Sequence, residues 1–391
     1  MKKTVKNKEL TISILSLSLL TVMAGAAVAP ALGVIQNYFS DTDPLFVQMI
    51  ISIPALLIVI TNFFFQKLCR SFGSKTLVLG GLLLYTAGGC LAGAFDHIAL
   101  MLLMRSLVGI GVGIIMPLST GLLAFYFPAQ EQEKLMGYSS AMNQMGGVIA
   151  TLLSGLLANI SWRASFFVYL LGLLSIILCL IFLPNDKISS EDSSSAKKKS
   201  SIFKENYTYI IAMFLLMTTF FVYPANFAME TAAEGLIPLK FVAVIMAAMD
   251  FIAFFGGLLF VSVKRICKDK TKFAAPLLFL CGYLLLAFAG GWFGTLVGSF
   301  CIGFANGAGI PYIISEASMK VGKSAVTTVM PLISAALYLA QFVSPILMSA
   351  VTSVFGETTK HLPYCYAAVL AALFCLWSAL IPTSKTEGKR E

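Results

Sequence analysis

The chain has 391 residues, of which 58% are hydrophobic and 12% charged, and its formal net charge is +9. An ordinary soluble domain carries roughly 25% charged residues, so a water-soluble fold of this size would lack the polar surface to cover itself. Twelve spans of about 20 apolar residues would take about 240 positions and leave about 150 for loops and tails, so the composition predicts an integral membrane protein with almost nothing outside the bilayer.

Hydropathy predicts twelve helices, near 11–36, 46–66, 76–95, 98–123, 136–159, 164–183, 207–229, 238–263, 273–291, 294–315, 325–354 and 363–382. The first opens on Lys2, Lys3, Lys6 and Lys8, and its apolar run through Met23-Ala24-Gly25-Ala26-Ala27 has the look of a signal peptide with a small-residue cleavage site. The apolar stretch continues to Ile35, and an internal repeat needs this helix, so it is read as the first span. Near the middle, Pro184-Asn185-Asp186-Lys187 and then Ser189 to Ser201, rich in Ser, Glu, Asp and Lys, read as a disordered cytoplasmic linker. The expected organisation is a six-helix bundle at 1–183, a linker at 184–206 and a second six-helix bundle at 207–391.

Basic residues set the expected direction. With a cytoplasmic N-terminus, 23 of the 27 Lys and Arg fall in cytoplasmic loops and tails, while the opposite loops hold Arg163, Lys240 and Lys360. That is the positive-inside pattern, and it requires an even number of spans, so both termini are expected in the cytoplasm of a cell-membrane protein. The positive charge then needs no nucleic acid; anionic lipid headgroups are a sufficient partner. Eight cysteines form no CxxC pair and have no nearby histidine, so they read as small buried hydrophobes rather than a disulfide framework or a metal site.

The two halves match at an offset of 194 residues: Pro30 with Pro224, Pro117 with Pro311, Gly109 and Gly113 with Gly303 and Gly307, and Arg70 with Lys264. Glycines four apart let helix backbones approach closely, and proline inside a span frees a carbonyl and bends the helix. Bent, glycine-rich helices at equivalent places in two related halves suit rocking about a shared cavity, which points to transport.

Three segments carry a family resemblance. Arg105-Ser106-Leu107-Val108-Gly109-Ile110-Gly111-Val112-Gly113 fits an R-x-x-x-G-x-G-x-G pattern in the fourth span, and Trp162-Arg163-Ala164-Ser165-Phe166 fits W-R-x-x-F at the start of the sixth. In the second-to-third loop, Gly73 and Lys75 fit a G-x-x-x-D-R-x-G-R-K motif whose acidic position holds Arg70. With these the chain resembles the major facilitator superfamily over its whole length. The resemblance implies an all-α membrane fold of twelve transmembrane helices in two pseudo-symmetric six-helix bundles. In the fifth span, Gly146-Gly147-Val148-Ile149-Ala150-Thr151-Leu152-Leu153-Ser154-Gly155 keeps the small-residue spacing of the exporters' G-x-x-x-G-P-x-x-G-G, with Thr151 in place of the proline. The drug:proton antiporter branch is the nearest in pattern.

Charges near mid-membrane are costly and therefore functional candidates. Asp250 lies about 12 residues into the eighth span, at about 1.5 Å per residue some 18 Å deep. A carboxyl that is neutral or charged according to which side is open is what proton coupling requires; a permanent pair with Arg105, or hydrogen bonds to neighbouring helices, would make it structural. Arg105, about seven residues into the fourth span, suits switching or an anionic substrate, or contacts with carbonyls alone. Asn143, Gln144, Tyr223, Asn226, Asn306, Tyr312 and Gln341 are uncharged polar candidates for the substrate cavity, and interhelical hydrogen bonding explains them equally well. Gly73, Lys75, Gly109, Gly113, Pro117, Gly146, Gly303, Gly307 and Pro311 are read as gating and packing positions. Phe220, Phe221, Phe227, Phe251, Phe254 and Phe255 would give a cavity aromatic faces suited to lipophilic, often cationic, molecules, or would simply face lipid. Glu230 and Glu234 read as loop acids, and Glu316 as the end of the tenth helix at the cytoplasmic surface.

The expected function is secondary transport of a small lipophilic or amphipathic molecule by proton-coupled efflux, with uptake of an organic anion or nutrient as the rival. A membrane enzyme would need a catalytic cluster, and the sequence holds no HExxH, DD pair or G-x-S-x-G. A lipid-moving or sensory protein on the same scaffold is a third class. No GxxxxGK[ST] loop suggests ATP hydrolysis, so no cofactor is implied; the expected partners are a small-molecule substrate, protons or another coupling ion, and membrane lipids, with the chain acting as a monomer.

Overall fold

The computed structural model describes residues 2–187, 196–235, 237–289, 291–321, 323–355 and 361–380. The described chain is almost wholly helical, as a bilayer demands when every backbone N–H and C=O must be satisfied internally. The helices are α1 (Lys2–Ala26), α2 (Leu32–Tyr38), α3 (Pro44–Ser71), α4 (Ser74–Ala92), α5 (Ile98–Tyr126), α6 (Ala129–Ala158) and α7 (Leu171–Phe182). After them come α8 (Ala196–Glu234), α9 (Leu239–Cys267), α10 (Ala274–Phe288), α11 (Gly291–Val321), α12 (Lys323–Phe355) and α13 (Leu362–Leu380).

Among the described residues, eleven apolar helical stretches are long enough to cross a membrane. One of them, Lys240–Phe288, has 49 residues, about 70 Å at helical rise and more than twice the bilayer core. It is broken at Lys268–Phe273 by a 3-10 turn that begins with Lys268 at φ 47, so it supplies two crossings, α9 and α10, and the total is twelve. The first span is α1 and α2 joined through a short 3-10 turn at Ala29–Ala31, where Pro30 interrupts the helix. Ile14, Leu17, Leu20 and Met23 of α1 are essentially inaccessible, so this helix is core of the fold.

The chain divides into two compact units: Met1–Asp192 with Pro224–Phe251, and Ser193–Tyr223 with Ile252–Glu391. Of the expected linker, 188–195 lies outside the described residues, α8 is helical from Ala196, and Pro184–Lys187 is not helical. That piece is tied down: the Ser74 amide donates to the Asp186 carbonyl at 2.8 Å, Ser74 Oγ to the Pro184 carbonyl at 3.2 Å, and Tyr126 Oη to the Asp186 carboxylate at 2.9 Å. Gly73 sits against the Asn185 side chain, where a Cβ would collide. Lys75 Nζ donates to the Leu180 carbonyl at 2.6 Å, placing a cation at the C-terminal end of α7 where helix carbonyls are unpaired. The second unit repeats the device: Lys272 Nζ donates to the Ala379 carbonyl of α13 at 3.3 Å.

Glycine sets the helix contacts in both units. In the first, Gly109 and Gly113 rest on α3 at Pro54 and Thr61, while Gly111, facing the other way, rests on α4 at Gly81 and Tyr85. In the second, Gly307, the repeat mate of Gly113, rests on the Ala253 carbonyl of α9, and Gly282 of α10 meets Gly298 of α11. Gly303 is buried within α11. Because a Cβ at Gly109 would meet backbone atoms of Pro54 that cannot move aside, Gly109→Ala is expected to cost about 1–3 kcal/mol. Thermal unfolding of the purified protein should show the loss, with Gly80→Ala, whose added methyl meets open space, unchanged.

One surface expectation is corrected here. Glu316 does not end its helix at the surface: α11 continues to Val321, and Glu316 is 4% exposed, in an ion pair with Lys264 of α9 at 2.8 Å. Losing the cation takes the Lys264 charge away from a buried carboxylate, whereas losing the acid frees a lysine that already reaches water. Lys264→Gln should therefore lower the melting temperature more than Glu316→Gln; equal losses would mean the pair is not what holds these helices.

Candidate functional site

Arg105 is completely buried in α5, and its guanidinium bonds two backbone carbonyls and a tyrosine. Nε donates to the Ile50 carbonyl at 2.6 Å, and the terminal nitrogens donate to the Ala24 carbonyl and the Tyr169 hydroxyl. The reason lies in two helix interruptions. Ile50 stands four residues before Pro54, which has no N–H to give it, so the α3 carbonyl is orphaned inside the membrane. Ala24 belongs to the last turn of α1, where carbonyls have no intrahelical partner and the helix dipole is negative. One planar, permanently charged fork serves both. Tyr169 completes the group by donating to the Ala24 carbonyl at 2.8 Å, its ring admitted by Gly89 and lying edge-on to Tyr85. Among the described residues no carboxylate lies within ion-pair distance of Arg105, so the candidate pair with Asp250 is not formed.

Asp250 is half-buried on α9 and takes a hydrogen bond from Thr151 Oγ1 of α6 at 3.0 Å. The small residues of α6 make this approach possible. Gly155 lies against Ala243 of α9, and Gly147 lies beside the Asp250 carboxyl, while Gly146 faces α1 at the Leu19 carbonyl. Thr151 thus occupies the position where the resembled exporters carry proline, and its hydroxyl meets the membrane acid. Neither Thr151 nor Tyr169 stands out in the sequence as a polar partner. Only the break in the glycine pattern hinted at Thr151.

The other polar candidates separate by unit. In the first, Asn143 is half-exposed and accepts from Thr21 of α1; Gln144, also half-exposed, precedes Gly147 by three residues on the same stripe. One turn further along, Ser139 and Ser18 share a hydrogen bond at 2.7 Å. Asn226 is buried and accepts from Gln48 Nε2 at 2.8 Å. In the second unit, the Tyr223 hydroxyl donates to Ser299 Oγ at 2.8 Å, and Gln341 is buried. Tyr312 packs edge-on to Phe260, and Asn306 carries a buried Oδ1 with no partner among the described residues. Pro117 and Pro311 both lie inside their helices. Of the aromatics, Tyr223 and Phe227 are fully buried, whereas Phe251 and Phe255 are exposed. The W-R-x-x-F segment is a packing device: Arg163 pairs with Asp96, and its guanidinium stacks over the Trp162 and Tyr38 rings at 4.3 and 5.1 Å.

Comparison with known proteins decides the family. A model of the Major Facilitator Superfamily matches residues 14–345. The chain belongs to this superfamily. It is 25% identical over 255 residues to the quinolone resistance protein NorA of Staphylococcus aureus (strain MSSA476), a match covering 63% of this chain and 66% of that protein, just short of two thirds of its length. The riboflavin transporter RibZ of Clostridioides difficile (strain 630) is 25% identical over 150 residues, covering 38% of this chain and 33% of that one. Among solved structures, the nucleoside transporter NupG superposes with a TM-score of 0.75 at 12% identity, covering 95% of this chain and 98% of that one. The fold is therefore the all-α, twelve-helix major facilitator fold, and the protein is a multi-pass membrane protein of this superfamily.

Proposed function

We propose that this transporter exports small lipophilic or amphipathic molecules, cationic ones among them, across the cell membrane in exchange for protons, with Asp250 as the coupling group. The observation that carries the reading is the contrast between the two membrane charges. Asp250 is half-buried and held by a single neutral hydroxyl, so its carboxyl can take a proton or meet a substrate cation. Arg105 is sealed, and its guanidinium already serves two carbonyls and a tyrosine. An organic-anion substrate would have to displace those bonds to reach it, which weighs against the uptake reading. Likeness to a quinolone resistance protein fits the export direction, and the positive-inside distribution supports cytoplasmic termini.

The reading is tested by transport into proteoliposomes of a panel of lipophilic cations, neutral amphiphiles and organic anions, with and without an imposed pH gradient. Accumulation of cations and neutral compounds in the acidic compartment, abolished when the gradient is collapsed, is the expected result. Gradient-driven accumulation of anions alone would overturn it.

A further inference from the structure

Beyond transport, the turn between α9 and α10 carries a charge concentration that neither the coupling site nor the packing uses. Within Lys264–Lys272 there are five cations and one acid, Asp269. Lys264 is committed to Glu316 and Lys272 to the end of α13, but Arg265, Lys268 and Lys270 are exposed, and their side-chain cations have no ionic or hydrogen-bond partner among the described residues. Backbone geometry concentrates them: the left-handed turn at Lys268 and the 3-10 turn after it hold three like charges within six residues at the end of a membrane helix. Two large aliphatic side chains are exposed beside them, Ile266 at 79% within the stretch and Val261 at 63% just before it.

We infer that this turn forms a binding site for the headgroup of an anionic phospholipid. The three free cations face the phosphate, and the exposed aliphatic side chains continue along the first part of the acyl chains. A soluble phosphate has no use for the apolar part of this surface, and a zwitterionic lipid has no net charge to match the cations. Basic pockets between membrane helices at the bilayer surface hold acidic lipids through this combination. Each cation near such a headgroup contributes about five-fold in affinity, so removing three should weaken binding by about 100-fold.

Native mass spectrometry of the full-length protein tests this by titration with phosphatidylglycerol, phosphatidylcholine or inorganic phosphate. Wild type should retain one phosphatidylglycerol in preference to phosphatidylcholine, and inorganic phosphate should not displace it. The Arg265→Gln/Lys268→Gln/Lys270→Gln variant should lose that retention, while Lys8→Gln/Lys67→Gln/Lys187→Gln, which removes equal charge from exposed positions elsewhere, should keep it. A charge-preserving variant, Lys268→Arg/Lys270→Arg, should bind as wild type, which separates lost binding from lost folding. Equal retention by the first variant, or equal loss by the second, would show that no localised lipid site exists here, and displacement by inorganic phosphate would show a simple anion site instead.

Discussion

Arg105→Ala is expected to unfold the first unit at a markedly lower temperature than any other single substitution in α5, and Arg105→Lys to rescue little of the loss. Truncation would leave the Ile50 carbonyl unpaired in an apolar interior, at about 1–3 kcal/mol, would leave the Ala24 carbonyl to Tyr169 alone, and would open the space filled by the guanidinium. Lysine keeps the charge but presents one compact ammonium, which cannot span an α3 carbonyl, an α1 carbonyl and the Tyr169 hydroxyl at once. Thermal unfolding in detergent, read alongside substrate binding, distinguishes this from a purely electrostatic role. If Arg105→Lys matches wild type in both, the charge alone matters and the fork does not. A second variant sharpens the point: Pro54→Ala restores an N–H to α3 and should lessen the cost of losing Arg105, because the Ile50 carbonyl regains its helical partner.

Asp250→Asn is expected to abolish gradient-driven accumulation while leaving the protein folded and able to exchange substrate for substrate. Asparagine fits the same space and still accepts from Thr151, but it carries no titratable proton. Each pH unit of gradient can support about a ten-fold gradient of a substrate exchanged one for one with protons, so the variant's accumulation ratio should fall from that order to about one. Thr151→Val should lower accumulation several-fold and Thr151→Ser should restore it, since only the hydroxyl meets the acid. Full accumulation by Asp250→Asn would remove the carboxyl from the coupling step.

Much of this was legible in the sequence because membrane physics leaves few options. The spans, the repeat and the glycine faces follow from hydropathy and spacing, and Gly109, Gly113 and Gly307 make the close contacts that their four-residue spacing implies. Arg105 and Asp250 were visible because a charge in an apolar run has no ordinary explanation. Their partners were not visible. Arg105 binds backbone carbonyls 55 and 81 residues away, and a carbonyl leaves no mark in a sequence except the proline four residues later that orphans it. Thr151 lies 99 residues from Asp250 and belongs to a motif normally read for its glycines. Glu316 was misplaced because a hydropathy window stops at the first acid, whereas the ion pair with Lys264 lets α11 carry that acid into the interior. Tyr223 and Asn226, polar inside spans, prove to hold other helices through Ser299 and Gln48, so side-chain polarity alone did not separate packing from cavity.

The most direct test follows proton movement in proteoliposomes loaded with a pH-sensitive dye while a lipophilic cation gradient is imposed without any initial pH difference. Protons moving against the substrate through wild type, and not at all through Asp250→Asn, is the expected result. Protons moving with the substrate, or identical proton movement through both proteins, would contradict exchange at this carboxyl.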